Sequence, residues 1–132
     1  MKKYLKLIPV ILFFSCEKPI NNYAIVIHGG AGTVIRENTS KELQKKYEDK
    51  LREALEVGYS ILESGGSSVD AVEKTIKILE DSELFNAGKG SVLTNEETVE
   101  MDASIMIGSD LNAGAVATLK TIKNPISAAR AV

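Results

Sequence analysis

An α+β fold is predicted by two features of the sequence. Segments whose apolar residues recur every three or four positions occupy the middle of the chain, and short strand-like runs follow one another beyond Leu84 without helices between them. A packed interior is within reach of 132 residues that are 44% hydrophobic and 26% charged; that balance excludes a disordered, collagen-like or disulfide-built chain. The length fits one average domain.

Residues 1–15 read as a secretory signal and not as part of the fold. Lys2, Lys3 and Lys6 form a basic front, and Leu7 to Phe14 form an apolar run shorter than the ~20 residues of a bilayer-spanning helix. Cys16, the only cysteine, follows Ser15 at the end of that run. The arrangement resembles the lipobox of bacterial lipoproteins, in which the signal is removed and the new terminal cysteine is acylated. It implies a periplasmic lipoprotein of the cell envelope, held at the membrane by its lipid. Phe13 stands where that pattern usually has Leu, with Leu12 one place further back; a plain secretory signal with an incidental cysteine is the other reading. Residues 16–22 then form a tether, and 23–132 the folded part. Losing the three lysines makes the remainder more acidic than the whole chain's net −2, so charge gives no reason to expect nucleic acid.

Tyr23 to His28 is a nearly continuous apolar run, predicted as a strand buried on both faces that enters the tight loop His28-Gly29-Gly30-Ala31-Gly32. A helix follows. Thr39-Ser40-Lys41-Glu42 matches a capping box, Leu43, Tyr47, Leu51, Ala54, Leu55, Gly58 and Leu62 share one face, and Gly65-Gly66 ends it. Ser67-Ser68-Val69-Asp70 opens a second helix with Val69, Val72, Ile76 and Leu79 expected on its buried face. Past the loop Phe85-Asn86-Ala87-Gly88-Lys89-Gly90-Ser91, strands are predicted at Val92–Thr94, Thr98–Ile107 and Ala113–Leu119, the last two joined through Gly108-Ser109-Asp110. Asn124-Pro125 starts a final helix that runs to Ala131-Val132 without a C-cap. Such a sheet calls for more strands than these, and the chain is expected to be the front part of a larger protein.

Individual motifs carry little chemistry. A P-loop fails at Gly88-Lys89, because Glu83 stands in place of its first glycine and Gly90 in place of Ser or Thr; no GxGxxG run follows the first strand. No Cys/His cluster is present for zinc. His28, the only histidine, lacks a G-x-S-x-G partner and reads first as a structural hydrogen-bonding residue. Glu100 and Asp102 share a strand face; they form either a working carboxylate pair or, the preferred reading, one partly buried hydrogen-bonded carboxylate and one solvated one.

The order of the motifs says more than any one of them. Ile27-His28-Gly29-Gly30-Ala31-Gly32-Thr33, Gly65 to Val72, Phe85 to Gly90, Glu100 to Met106, Ala113 to Ala117 and Asn124 to Val132 appear in succession. Together they resemble the plant-type L-asparaginase/isoaspartyl peptidase family of N-terminal nucleophile hydrolases, over nearly all of residues 24–132.

The resemblance implies an αββα sandwich, incomplete in this chain, and a precursor that cuts itself before a threonine. The freed threonine gives the hydroxyl nucleophile, and its own α-amine, with a pKa of ~7.7–8.0, serves as general base. Implied substrates are β-aspartyl peptides and the asparagine side-chain amide; implied partners are a β subunit and an (αβ)₂ assembly. The related glycosylasparaginase activity, or a non-catalytic envelope lipoprotein module, stays open. The family's nucleophile stands in a Gly-Thr-Val-Gly-Ala-Val-Ala stretch. Gly32-Thr33-Val34 continues as Ile35-Arg36, and Gly114-Ala115-Val116-Ala117 is preceded by Asn112-Ala113, so neither matches and no catalytic residue is assigned. Support is implied instead. Asn86, Gly29, Gly30 and Gly32 would lie at the active site, and the carbonyls of Leu79, Glu80, Ser82, Phe85, Ala87 and Lys89 would hold a structural sodium ion. An ordinary helix-ending loop is the plainer reading of those six. The family commonly has Met-Asp-Gly where Met106-Ile107-Gly108 stands, which removes a turn-forming carboxylate from the hairpin.

Overall fold

The computed structural model describes residues 22–32 and 36–132. The expected signal, Cys16 and all of the tether but Asn22 lie outside the described residues, as does Thr33. Three helices and one antiparallel pair of strands follow in order: α1 (Lys41–Glu63), α2 (Ser68–Glu80), β1 (Met101–Met106), β2 (Ala113–Leu119) and α3 (Pro125–Ala131). The α+β class is met. No described helix is long and apolar enough to cross a membrane.

Ser40 caps α1, its hydroxyl accepting the Leu43 amide at 3.2 Å. That is one residue later than the expected box. Glu42 therefore falls at the second helical position, where it cannot reach back to the cap, and pairs with Lys46 at 3.1 Å instead. At α2 the cap is as expected: Ser67 accepts the Asp70 amide at 3.1 Å and donates to its carboxylate at 2.6 Å.

The two helices meet through small residues. Gly58, Ala54 and Ala71 are buried, and a Cβ added at Gly58 would run into Thr75 Oγ1 and Ile25 Cδ1. So close an approach sets the buried stripe of α2 at Ala71, Thr75 and Leu79, four residues apart, and turns Val72 outward to 41% exposure. Of the expected face, Leu79 is buried and Ile76 packs half-buried against the same core, Val69 is half-buried, and only Val72 is exposed.

Tyr23 to His28 is extended but joins no ladder among the described residues, and it is buried on one face, not two. Tyr23, Ile25 and Ile27 turn toward the helices, with Tyr23 edge-on to Tyr59 at 5.4 Å, while Ala24, Val26 and His28 are exposed. Burial, the largest cause, and neighbouring Tyr59 push the Tyr23 phenol up to about 12. The strand expected at Val92–Thr94 shrinks to a single Leu93–Val99 bridge. Its first amide is drawn aside to Asn86 Oδ1, at 2.9 Å, and Thr94 closes a tight turn onto Thr98.

β1 and β2 form as expected, although β1 is shorter than the predicted run. Ile107 does not cost the hairpin its turn, because Asp110 supplies the carboxylate, accepting the Asn112 amide at 3.1 Å. α3 lies across this hairpin so closely that a Cβ on Gly114 would meet the Ala129 carbonyl. Met101, Ile126 and Ala129 are buried in that layer; Ala54, Leu79 and Phe85 form the core of the other.

Candidate functional site

One cleft, of about 930 Å³, collects two glycine-bearing loops that lie more than fifty residues apart in sequence. His28 to Gly32 forms one wall and Asn86-Ala87 the other; Tyr47, Leu51, Leu79 and Phe85 line the apolar floor. Phe85 is 5% exposed and stands edge-on to Tyr47, ring centroids 5.7 Å apart. A Cβ on Gly29 would lie 3.3 Å from both Phe85 Cε1 and Leu51 Cδ2. Glycine at this point lets the first loop rest directly on the residue before Asn86.

The other two glycines of that loop have no crowded neighbour among the described residues. Gly30 adopts φ +110, a glycine conformation, with open space around it; Gly32 shows neither a crowded neighbour nor positive φ among the described residues. His28 Nδ1 accepts the Gly30 amide at 3.2 Å, which is the structural role expected for it. Asn86 is exposed toward the cleft side of its loop and fixed by accepting the Val92 amide.

Behind Asn86 the chain leaves α2 and folds back on itself. Gly88, at φ +54, packs onto the carbonyl and Cβ of Glu80, and Gly90 onto the carbonyls of Phe85 and Glu83. The carbonyls of Leu79, Phe85 and Ala87 accept the amides of Ser82, Ala87 and Gly90 at 3.1, 2.8 and 3.1 Å. Ser82 is buried, its hydroxyl accepting the Leu84 amide at 3.2 Å. The exposed Lys89 ammonium pairs with Glu83 at 2.8 Å, which holds that carboxyl below its ordinary range and raises the lysine. Of the described residues, no three His, Cys, Asp or Glu side chains gather as a metal site.

Glu100 and Asp102 are engaged separately. Glu100 pairs with Lys120 at 3.0 Å and Asp102 accepts the Thr118 amide at 2.8 Å, so the preferred reading holds in its hydrogen bonding, except that Asp102 is exposed.

Sequence reasoning missed the side chain of Glu80. It is 3% exposed, accepts the Ile126 amide at 2.9 Å, and burial pushes its carboxyl up against the pull of that amide. A signal was present: a carboxylate in the last turn of a helix opposes the helix dipole and needs a reason to be there. Also missed was the tie from α2 to α3, in which Glu73 accepts from Ser127 and Arg130, each at 2.6 Å, and Arg130 reaches Asp70 at 2.7 Å.

A family model described as Asparaginase matches residues 21–132. A plant-type L-asparaginase of Pyrococcus furiosus is 53% identical over 109 residues, covering 83% of this chain and 34% of the relative. An isoaspartyl peptidase/L-asparaginase of Bos taurus is 50% identical over 111 residues, covering 84% and 35%. An isoaspartyl peptidase of Escherichia coli is 44% identical over 108 residues, covering 82% and 34%. The chain spans about a third of the length of the curated relatives it matches. With the family model spanning most of its length and relatives near half identity, the chain belongs to the asparaginase family.

Proposed function

We propose that this chain is the N-terminal part of an isoaspartyl peptidase/L-asparaginase, which hydrolyses β-aspartyl peptides and the asparagine side-chain amide. The observation that carries the reading is the cleft where His28–Gly32 and Asn86 meet, formed by two of the motifs on which the family resemblance rests. The relatives' names supply the activity.

In this reading the nucleophilic threonine sits on residues that follow Val132 and faces the cleft. Its α-amine takes the hydroxyl proton as the hydroxyl attacks the side-chain carbonyl of the substrate, and the amine or ammonia leaves; water then hydrolyses the ester. This chain contributes backbone and shape. Gly29 lets its loop seat against Phe85, Gly30 turns the chain, Gly32 continues it, and Asn86 holds its loop toward the reacting threonine. The hairpin and α3 belong to one half of an αββα sandwich in an (αβ)₂ assembly.

A structural sodium ion is proposed at the carbonyls of Leu79, Glu80, Ser82, Phe85, Ala87 and Lys89. The crowding of carbonyls where Gly88 and Gly90 fold back, with room for no Cβ, supports this, and an all-oxygen backbone set suits a hard monovalent cation. The ion would fix the loop and take no part in the reaction. Cys16 is proposed to be acylated after removal of residues 1–15, placing the enzyme in the envelope.

The test is direct. Protein encoded through the stretch after codon 132 should contain Gly-Thr-Val-Gly, cut itself before that threonine and release ammonia from L-asparagine. The 132-residue chain by itself should release none, and ammonia release by it would overturn the reading.

A further inference from the structure

We propose that Glu80 is a positioning residue whose buried side chain clasps both α3 and the Asn86 loop to the end of α2. The clasp is read from geometry alone; its consequence for catalysis rests on the function proposed above.

Two contacts and a shared cavity meet at this residue. The first is to α3, which has Pro125 at its start and Asn124 as an N-cap that makes no side-chain cap bond. Ile126 thus brings an amide with no intrahelical acceptor, and Glu80 Oε1 takes it from 46 residues away. A distant carboxyl does the work that a local cap does elsewhere.

The second contact is to the loop. Gly88 packs on the carbonyl and Cβ of Glu80, so the turn after Asn86 closes over the backbone from which this side chain springs. The shared cavity, of about 270 Å³, is lined by Glu80 together with Asn86, Ala87, Gly88 and Val92 of the loop and Pro125 of α3. Glu80 Oε2 is buried without a protein partner. Such a group is expensive to bury, and one oxygen bonded to α3 offsets that only in part.

Glu73 provides the control, since it also ties α2 to α3 through Ser127 and Arg130 but lies two turns from the loop. Hydrogen exchange then separates the roles. The Ile126 amide reports the clasp on α3, and the Val92 amide, held by Asn86 Oδ1, reports the loop. Glu80→Asp, which withdraws the carboxyl, should speed exchange at both amides by roughly tenfold. Glu80→Gln keeps an acceptor oxygen and should leave both within about threefold of the parent. Glu73→Gln should leave Val92 unchanged.

Unchanged Val92 exchange in Glu80→Asp, or equal loss in Glu73→Gln, overturns the proposal. Should Glu80→Asp fail to fold, Glu80→Met, which keeps the length and removes the acceptor, decides: faster exchange at both amides than in Glu80→Gln supports the clasp, and exchange equal to that of Glu80→Gln at Val92 overturns it. In protein that carries the proposed threonine, Glu80→Asp should lower kcat more than it raises KM, with Glu80→Gln restoring it. A parent with no hydrolysis refutes the proposed function, and the exchange result still judges the clasp.

Discussion

Asp102 Oδ1 accepts the amide of Thr118 at 2.8 Å, across the point where β1 and β2 slip register. Met101 pairs with Leu119 and Ala103 with Val116, so Ala117 and Thr118 oppose Asp102 alone. Thr118 pays for the bulge with φ +56, an unfavourable conformation for a β-branched residue. Thr118→Gly should therefore stabilise the protein by about 1 kcal/mol, the released strain exceeding the entropy cost of glycine. Asp102→Ala should destabilise it by about 1 kcal/mol, because water replaces most of the lost bond at this exposed site. Urea unfolding midpoints measure both, and a destabilised Thr118→Gly would contradict the strain.

Mid-helix glycine normally costs about 1 kcal/mol against alanine, so Gly58→Ala looks like an improvement from sequence alone. The contact with Thr75 Oγ1 and Ile25 reverses the sign. Gly58→Ala should lose about 2 kcal/mol through overpacking. Thr75→Ala in the same protein should recover part of that, since its hydroxyl is buried without a partner and is one of the two atoms in the way. A thermal double-mutant cycle reads the coupling; simple additivity would exclude it.

Acid should loosen α3 from α2. The Ser127 hydroxyl, first, and the Arg130 guanidinium hold Glu73 below the ordinary glutamate value. A folded-state pKa below the unfolded one gives stability that is present above about pH 4.3 and is lost as pH falls through the lowered value. Glu73→Gln should thus flatten the acid limb of a stability profile taken from pH 3 to 7. Parallel profiles for the two proteins would argue against the tie.

Phe85 holds up both the core and the cleft floor. It packs with Ala54 and Leu79, meets Tyr47 edge-on and touches the Gly29 backbone. Phe85→Ala should cost about 3 kcal/mol or more, a large share of a typical domain's stability, and expose Tyr47 to quenchers of its fluorescence. Phe85→Leu should cost about half of that.

Helices were legible because their signals are local. Ser67 and Asp70 sit three apart in the sequence and in the cap, and Asn124-Pro125 opens α3 as its residues require. The capping box put the start of α1 at Thr39, and the cap forms one residue later, where the Ser40 hydroxyl reaches the Leu43 amide. The buried face of α2 was legible at Ile76 and Leu79 and misread at Val72 for a non-local reason: apolar content favours Val72, but Ala71 and Thr75 are the residues that meet Gly58. Hairpin β1–β2 was legible from two strand-like runs joined through Gly108-Ser109-Asp110, whereas Val92–Thr94 lost its ladder to a side chain six residues upstream. Both glycine loops stood out singly. Their meeting at Gly29 and Phe85 is a tertiary contact, which no spacing encodes, and the same holds for Glu80 and Ile126.

Val26 is 92% exposed in the middle of a run that joins no ladder among the described residues, between the inward-facing Ile25 and Ile27. Free peptide groups beside a bare β-branched side chain recruit any neighbouring strand that drifts past. Stock solutions of this polypeptide should therefore cloud in a concentration-dependent way, starting at that stretch, and a lysine in place of Val26 should keep them clear.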